Sequence, residues 1–259
     1  MENQTGSREH ILTQIRTALG RPASAVAPEP LPLFVSPPAL STDAELINQF
    51  GCELEKVGGT MTRVQTVQEL RKLLQSLFPA ADFASVAVSN AEVLRRLGIH
   101  DWLVSDNRHI VPSREEFMLA GRQATEPSSR LLDNEKLADE YNRVLVEAHL
   151  GITSADYALA DTGTLALVSG GEQHRLISLL PPIHVCLLDP RHIFPSLNEV
   201  LAHLQVACET RGTLPQTLTC ITGPSRTGDI EQTITLGVHG PRSLHVILYQ
   251  LAEPDKPES

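Results

Sequence analysis

Apolar positions along the chain recur at helical spacing in some stretches and alternate or run together in short β-branched blocks in others. Ser7 through Leu19 places Ile11, Leu12, Ile15 and Leu19 on one face, which predicts a short amphipathic helix capped by Ser7 and stopped by Gly20 and Pro22. A second helix is predicted from Thr42 or Asp43 to about Lys56, ended by Gly58-Gly59 before the strand-like Thr60–Val64. Thr66 opens a helix running to about Phe78, Ser85–Val88 reads as a strand, Ala91–Leu97 as a helix and Asp101–Val104 as another strand. The pattern weakens between Ser105 and Asn134, which reads as loop with some helix, and a helix follows from about Glu135 to Ala148. Beyond it the predicted strands are Gly151–Ala158, Thr164–Ser169, Ile183–Leu188, Thr217–Ile221 and Leu244–Tyr249, with a helix at Phe194–Ala207. Helices alternating with short strands on short connections predict an α/β fold, a mostly parallel sheet with flanking helices.

Prolines at 22, 28, 30, 32, 37 and 38 separate the first helix from the rest. The expected organisation is therefore a helix at 1–20, a Pro-rich linker at 21–42, an α/β domain at 43–251 and a disordered tail at 252–259. The helix on its leash is expected either to dock on its own domain, a sister subunit or another protein, or to fray as termini do.

Composition narrows the function classes. With 21 basic and 31 acidic side chains the net charge is −10, and such a field repels phosphate backbones, so nucleic acid is a poor partner. No apolar run is long enough to span a bilayer, and the first residues lack the basic, apolar and small-residue zones of a secretory signal. A cytoplasmic location is expected. The cysteines at 52, 186, 208 and 220 include no Cys-x-x-Cys and nothing with zinc or ferredoxin spacing. Cys186, inside an apolar run, reads as a buried inert thiol. No metal site is expected.

Three segments carry more special residues than a core requires. In Asp161-Thr162-Gly163-Thr164, a polar turn between apolar runs, Gly163 supplies positive φ. The carboxylate and hydroxyls of that turn either meet a ligand or only stabilise the turn. Gly170-Gly171-Glu172-Gln173-His174-Arg175 gathers a carboxylate, an imidazole and a guanidinium. Arg175 suits bidentate recognition of a carboxylate or phosphate, and Glu172 suits a base, a nucleophile or simply the partner of Arg175. His184, further on, reads by default as a core histidine. Gly223-Pro224-Ser225-Arg226-Thr227-Gly228-Asp229 follows an apolar strand and offers backbone donors beside a guanidinium, as anion-binding nests do. It is neither a Walker A loop nor a dinucleotide fingerprint. Gly237-Val238-His239-Gly240-Pro241-Arg242 adds a second Gly/His/Arg loop. Such loops predict one crevice at the carboxyl edge of a parallel sheet.

The blocks GITSADYALADTGTLALVS, RLISLLPPIHV and ITGPSRTGDIEQTITLGVHGPRSLHVIL, in this order, resemble the LUD domain family in its lactate-utilization protein C branch, as does the opening SREHILTQIRTALG. The resemblance implies a NagB/RpiA/CoA-transferase-like fold and a role in a bacterial L-lactate utilization system that oxidises lactate to pyruvate. It implies two iron–sulfur partner proteins that carry the clusters, while this chain binds none itself. Under that reading a small carboxylate is clamped by Arg175, Arg226 or Arg242, with Thr162, Gly163, Thr164, Gly223, Ser225 and Asp229 lining the site. The proton-accepting base comes from Asp161, His174, His184 or His239. Two alternatives stand beside it. One is a non-catalytic assembly or regulatory subunit. The other is an independent CoA-transferase or isomerase-like enzyme, with Glu172 as nucleophile.

Overall fold

The computed structural model describes residues 3–18, 43–78, 85–124, 130–169, 175–211, 217–227, 235–237 and 239–250. The expected linker and tail lie outside these residues. The first helix, α1 (Asn3–Ala18), begins before Ser7, so Ser7 is within the helix and does not cap it. Its Ile11 and Ile15 are exposed.

Asp43 accepts hydrogen bonds from the amides of Glu45 and Leu46 and so starts α2 (Ala44–Lys56). Ile47, Phe50 and Leu54 share the buried face of α2, and Gly58, at φ +87°, turns the chain into β1 (Thr60–Val64). Thr66 caps α3 (Val67–Leu77): Glu69 N–H donates to Thr66 Oγ1 at 3.1 Å, and the Glu69 carboxylate reaches back to accept from Gln65 N–H, just before the cap, at 2.7 Å. Then come β2 (Ser85–Val88), α4 (Glu92–Arg96), α5 (Ile99–Ser105), β3 (His109–Val111), α6 (Arg114–Ala124), α7 (Arg130–Glu147), β4 (Leu150–Ser154), β5 (Tyr157–Leu159) and β6 (Thr164–Ser169). A 3-10 turn at Arg175–Ser178 leads to β7 (Ile183–Leu188), β8 (Ile193–Phe194), α8 (Leu197–Arg211), β9 (Thr217–Ile221), β10 (Arg226–Thr227), β11 (Thr235–Leu236) and β12 (Ser243–Tyr249).

Six strands form a sheet in the order β1-β12-β7-β4-β2-β3, and every neighbouring pair is parallel. The α/β class with a parallel sheet flanked by helices is therefore as expected. A second sheet, β8-β5-β6-β9, is mixed, with β5, β6 and β9 antiparallel in turn. Val86, Ile152, Val185, Leu187 and Ile247 pack under α3, α4 and α5 on one face of the large sheet. On the other face Cys186, Leu188, Val246 and Leu248 pack against α2 and the inner side of the second sheet. Ala87 and Val111 meet Tyr141 and Leu145 of α7, while Val200 of α8 covers the outer side of the second sheet.

Three elements differ from the sequence expectation. The helix expected from Phe194 begins at Leu197, because Phe194 pairs in β8 with Leu159. Asp101–Val104 lies in helix α5, not in a strand. Gly98, left-handed at φ +59°, ends α4, and Ile99, Trp102 and Leu103 recur at helical spacing to bury one face. The expected strand Gly151–Ala158 is two strands in two sheets. Ala155 N–H still donates to Leu187 of the large sheet, whereas the next amide, Asp156, donates to Ala166 of the second. The region from Ser105 to Asn134 holds β3, α6 and the start of α7. Among the described residues no helix is long and apolar enough to cross a membrane.

Candidate functional site

Three of the chemistry-bearing loops meet around the last turn of α2. Gly163, at φ +62°, approaches so closely that a Cβ there would lie 2.2 Å from the Leu54 nitrogen and 2.6 Å from the Glu53 carbonyl carbon. Gly223, at φ +78°, has no room for a Cβ either, because Val57 O would be 2.5 Å away. Between these two glycines runs a chain of hydroxyls. Thr164 Oγ1 donates to Thr162 Oγ1 at 2.9 Å, and Thr162 donates to the Asp161 carboxylate at 3.1 Å. With its proton so used, Thr164 accepts from Thr222 Oγ1 at 2.8 Å. Every O–H in the relay therefore points towards Asp161.

The remaining contacts tie in the other loops. Arg226 Nη2 donates to Val57 O at 2.6 Å. Ser225 N–H donates to Pro241 O at 2.9 Å and Gly237 N–H to Ser225 O at 3.0 Å. The stem of Arg242 lies against Gly237, and Arg242 N–H donates to Pro182 O at 2.8 Å at the entrance to β7. Arg242 and His239 are exposed, as are Asp161 and Thr162, while Thr164 is buried. Arg175 is exposed at the head of the 3-10 turn, where its carbonyl accepts from Ser178 Oγ at 2.8 Å. Gly171, Glu172, His174, Gly228 and Asp229 lie outside the described residues.

The cluster sits at the amino edge of the large sheet, not at the carboxyl edge the sequence suggested. The loops at 179–182 and 237–242 precede β7 and β12, and α2 precedes β1, so all of them abut the starts of parallel strands. The distinction is electrostatic. Helix α2 presents its carbonyl end here, a negative pole that favours cations. Arg226 answers that pole directly and is committed to closing α2.

His184 lies near this edge on β7, fully buried, with Nε2 2.8 Å from Thr153 Oγ1 and Nδ1 without a partner. Burial pushes its pKa down to about 3, so the ring is neutral. Cys186, two residues on, is fully buried, and burial pushes its thiol up to about 12, the inert state expected of it. Among the described residues no three His, Cys, Asp or Glu side chains gather as a metal site.

The carboxyl edge holds a second set of polar groups, outside the three loops singled out from the sequence. At the end of β2, Ser89 is 4% exposed, and its hydroxyl is buried with no hydrogen-bond partner. Leaving such a group unmatched costs about 1–3 kcal/mol. Beside it Asn90 Oδ1 accepts from Arg95 Nη1 at 3.0 Å. At the end of β7, Asp189 forms a bidentate pair with Arg191, Nη2 to Oδ2 at 2.6 Å. Burial works to raise the pKa of Asp189, but the hydrogen bonds and charge of Arg191 outweigh it and hold the carboxyl below its ordinary value. Desolvation depresses His192, helped by Arg191 and His203 against the pull of Asp189. The signal available in sequence was modest: a Ser-Asn pair and an Asp-Pro-Arg-His run, each directly after an apolar strand.

Residues 47–249 match the LUD domain model. A lactate utilization protein C from Halalkalibacterium halodurans is 36% identical over 103 residues, 39% of this chain and 45% of that protein. The chain thus spans less than half the length of that relative in the matched stretch. A lactate utilization protein C from Shouchella clausii is 26% identical over 235 residues, covering 91% of this chain and 94% of its own. A crystal structure of a DUF162 family protein from Deinococcus radiodurans is 21% identical, with 80% of this chain and 98% of that one covered at a TM-score of 0.49.

Proposed function

Because the chain belongs to the LUD domain family, we propose that it is a subunit of a bacterial L-lactate utilization system and acts with two iron–sulfur partner proteins. The observation that carries this reading is the alignment, along most of both chains, with a protein named for lactate utilization. The chemistry to be served is the loss of two electrons and two protons from L-lactate to give pyruvate. This chain has no clustered cysteines to receive electrons, so they leave through the partners.

What the chain contributes, in this reading, is a small-carboxylate contact and a proton path. Arg175 and Arg242 are exposed cations near the entrance to β7, suited to a carboxylate. The relay from Thr222 through Thr164 and Thr162 gives a hydroxyl proton a directed route to Asp161 at the surface. His239, on the same loop as Arg242, is the alternative acceptor. Glu172, His174 and Asp229 keep the roles their residue types suggest.

The test is reconstitution. Lactate-dependent dye reduction by the two iron–sulfur proteins should need this chain, and the three should co-purify. Full activity without it would make it an assembly subunit. Failure to associate would remove it from the system and leave the independent-enzyme reading.

A further inference from the structure

The order of strands in the large sheet contains a reversal. From β2 the chain goes through α4 and α5 to β3 on one side, and those helices cover one face of the sheet. From β4 it crosses instead to the opposite face, where Ala155 and Asp156 hand it to the second sheet. Neighbouring parallel strands whose connections leave in opposite directions part at their carboxyl ends, and this is where ligands of open α/β sheets bind.

Ser89 stands in that gap. Its N–H donates to Ile152 O of β4 at 2.9 Å, which fixes it between the two strands just beyond their last pairing. Its hydroxyl is buried, 4% of the residue being exposed, and meets no protein partner. The next residue, Asn90, draws the Arg95 guanidinium back over the same turn at 3.0 Å. A buried hydroxyl without a partner and the parting of two neighbouring strand connections are two separate observations at one place, and the exposed Arg95 guanidinium is tied to the residue that follows Ser89. The amino-edge loops offer the reverse setting, a helix carbonyl pole already met by Arg226.

We propose that the cleft between the carboxyl ends of β2 and β4 binds a small oxyanion, with Ser89 Oγ donating to it and Arg95 supplying its counter-charge. The ligand class is a carboxylate or phosphate oxygen group small enough to enter between two strands. The site is distinct from the amino-edge loops and stands whether or not those loops serve lactate.

The experiment uses the full-length chain at low ionic strength, titrated separately with pyruvate, L-lactate and inorganic phosphate while backbone amide resonances are recorded. Saturable shifts at Ser89, Asn90 and Ala155 are expected with at least one probe. Ser89→Ala and Arg95→Ala should each weaken that binding by about fivefold or more. Ser89→Ala should not lower the melting temperature, because it removes an unmatched buried hydroxyl. Arg226→Ala should leave the affinity at the cleft unchanged. Preference for pyruvate or lactate over phosphate assigns the site to carboxylates, and the reverse assigns it to phosphate and leaves the lactate reading to the reconstitution assay. Three results would overturn the proposal: no saturable shift with any probe, shifts confined to the loop at 223–226, or parental affinity in both Ser89→Ala and Arg95→Ala.

Discussion

Replacing Gly163 with alanine isolates how tightly the Asp161–Thr164 turn is pressed onto α2. The residue sits at φ +62°, and an alanine in that left-handed region costs about 1–2 kcal/mol by itself. The new methyl would also lie 2.2 Å from Leu54 N and 2.6 Å from Leu54 Cα, both backbone atoms of a helix packed into the core. Neither can rotate away, so the turn or the helix must move, at about 1–3 kcal/mol for overpacking. The expected loss is about 3–4 kcal/mol, roughly a 10 °C fall in melting temperature for a domain of this size. Gly98→Ala is the control: at φ +59° it carries the same backbone cost, but its Cβ would meet only the flexible end of Arg71 at 4.0 Å. It should cost about 1–2 kcal/mol. Urea denaturation of both variants, followed by far-UV circular dichroism, measures the difference. Equal losses in the two variants would refute the close approach of the turn to α2.

Arg226→Ala removes the cation that closes α2 and should lower stability by about 1 kcal/mol, whereas Arg226→Lys keeps a donor for Val57 O and most of that stability. If Arg226→Ala loses stability while both variants sustain the reconstituted activity, Arg226 is structural and not a carboxylate clamp. His184 gives a pH dependence: its folded pKa of about 3 lies below the ordinary 6.5, so the unfolded chain takes up a proton that the folded chain refuses. The resulting penalty is absent above about pH 6.5 and grows by up to about 1.4 kcal/mol per unit as pH falls towards 3. His184→Gln should flatten unfolding free energy against pH in that window, and an unchanged acid slope would show that the ring is not held neutral. The purified chain is expected to be free of iron, since its cysteines lack cluster spacing; stoichiometric iron and sulfide after anaerobic purification would contradict this.

Local signals carried far in this sequence because their physics is short-ranged. Asp43 and Thr66 cap the helices that follow them, and Gly163 takes the positive φ its turn requires. The runs Thr60–Val64, Ser85–Val88, Thr164–Ser169, Ile183–Leu188 and Thr217–Ile221 are strands with the expected ends. Four consecutive residues at Asp101–Val104 were too few to separate strand from helix, and Gly98 decided the matter through a backbone angle. The run Gly151–Ala158 reads as one strand because its residues on both sides of Asp156 are buried, and only the backbone partners of Ala155 and Asp156 separate the two halves.

The edge on which the loops fall is a property of pairing. Whether a loop lies at the start or the end of a parallel strand is legible once the strand is known. That the starts of β1, β7 and β12 converge with the β5–β6 turn depends on strand order, which joins residues far apart in sequence. The Thr164–Thr222 contact spans 58 positions and the Arg226–Val57 contact 169. The same is true of the cleft at Ser89. The sequence determined a strand followed by a serine, an asparagine and a helix. Only the tertiary structure placed β4 beside that strand and sent the two connections to opposite faces, leaving a buried hydroxyl without a partner.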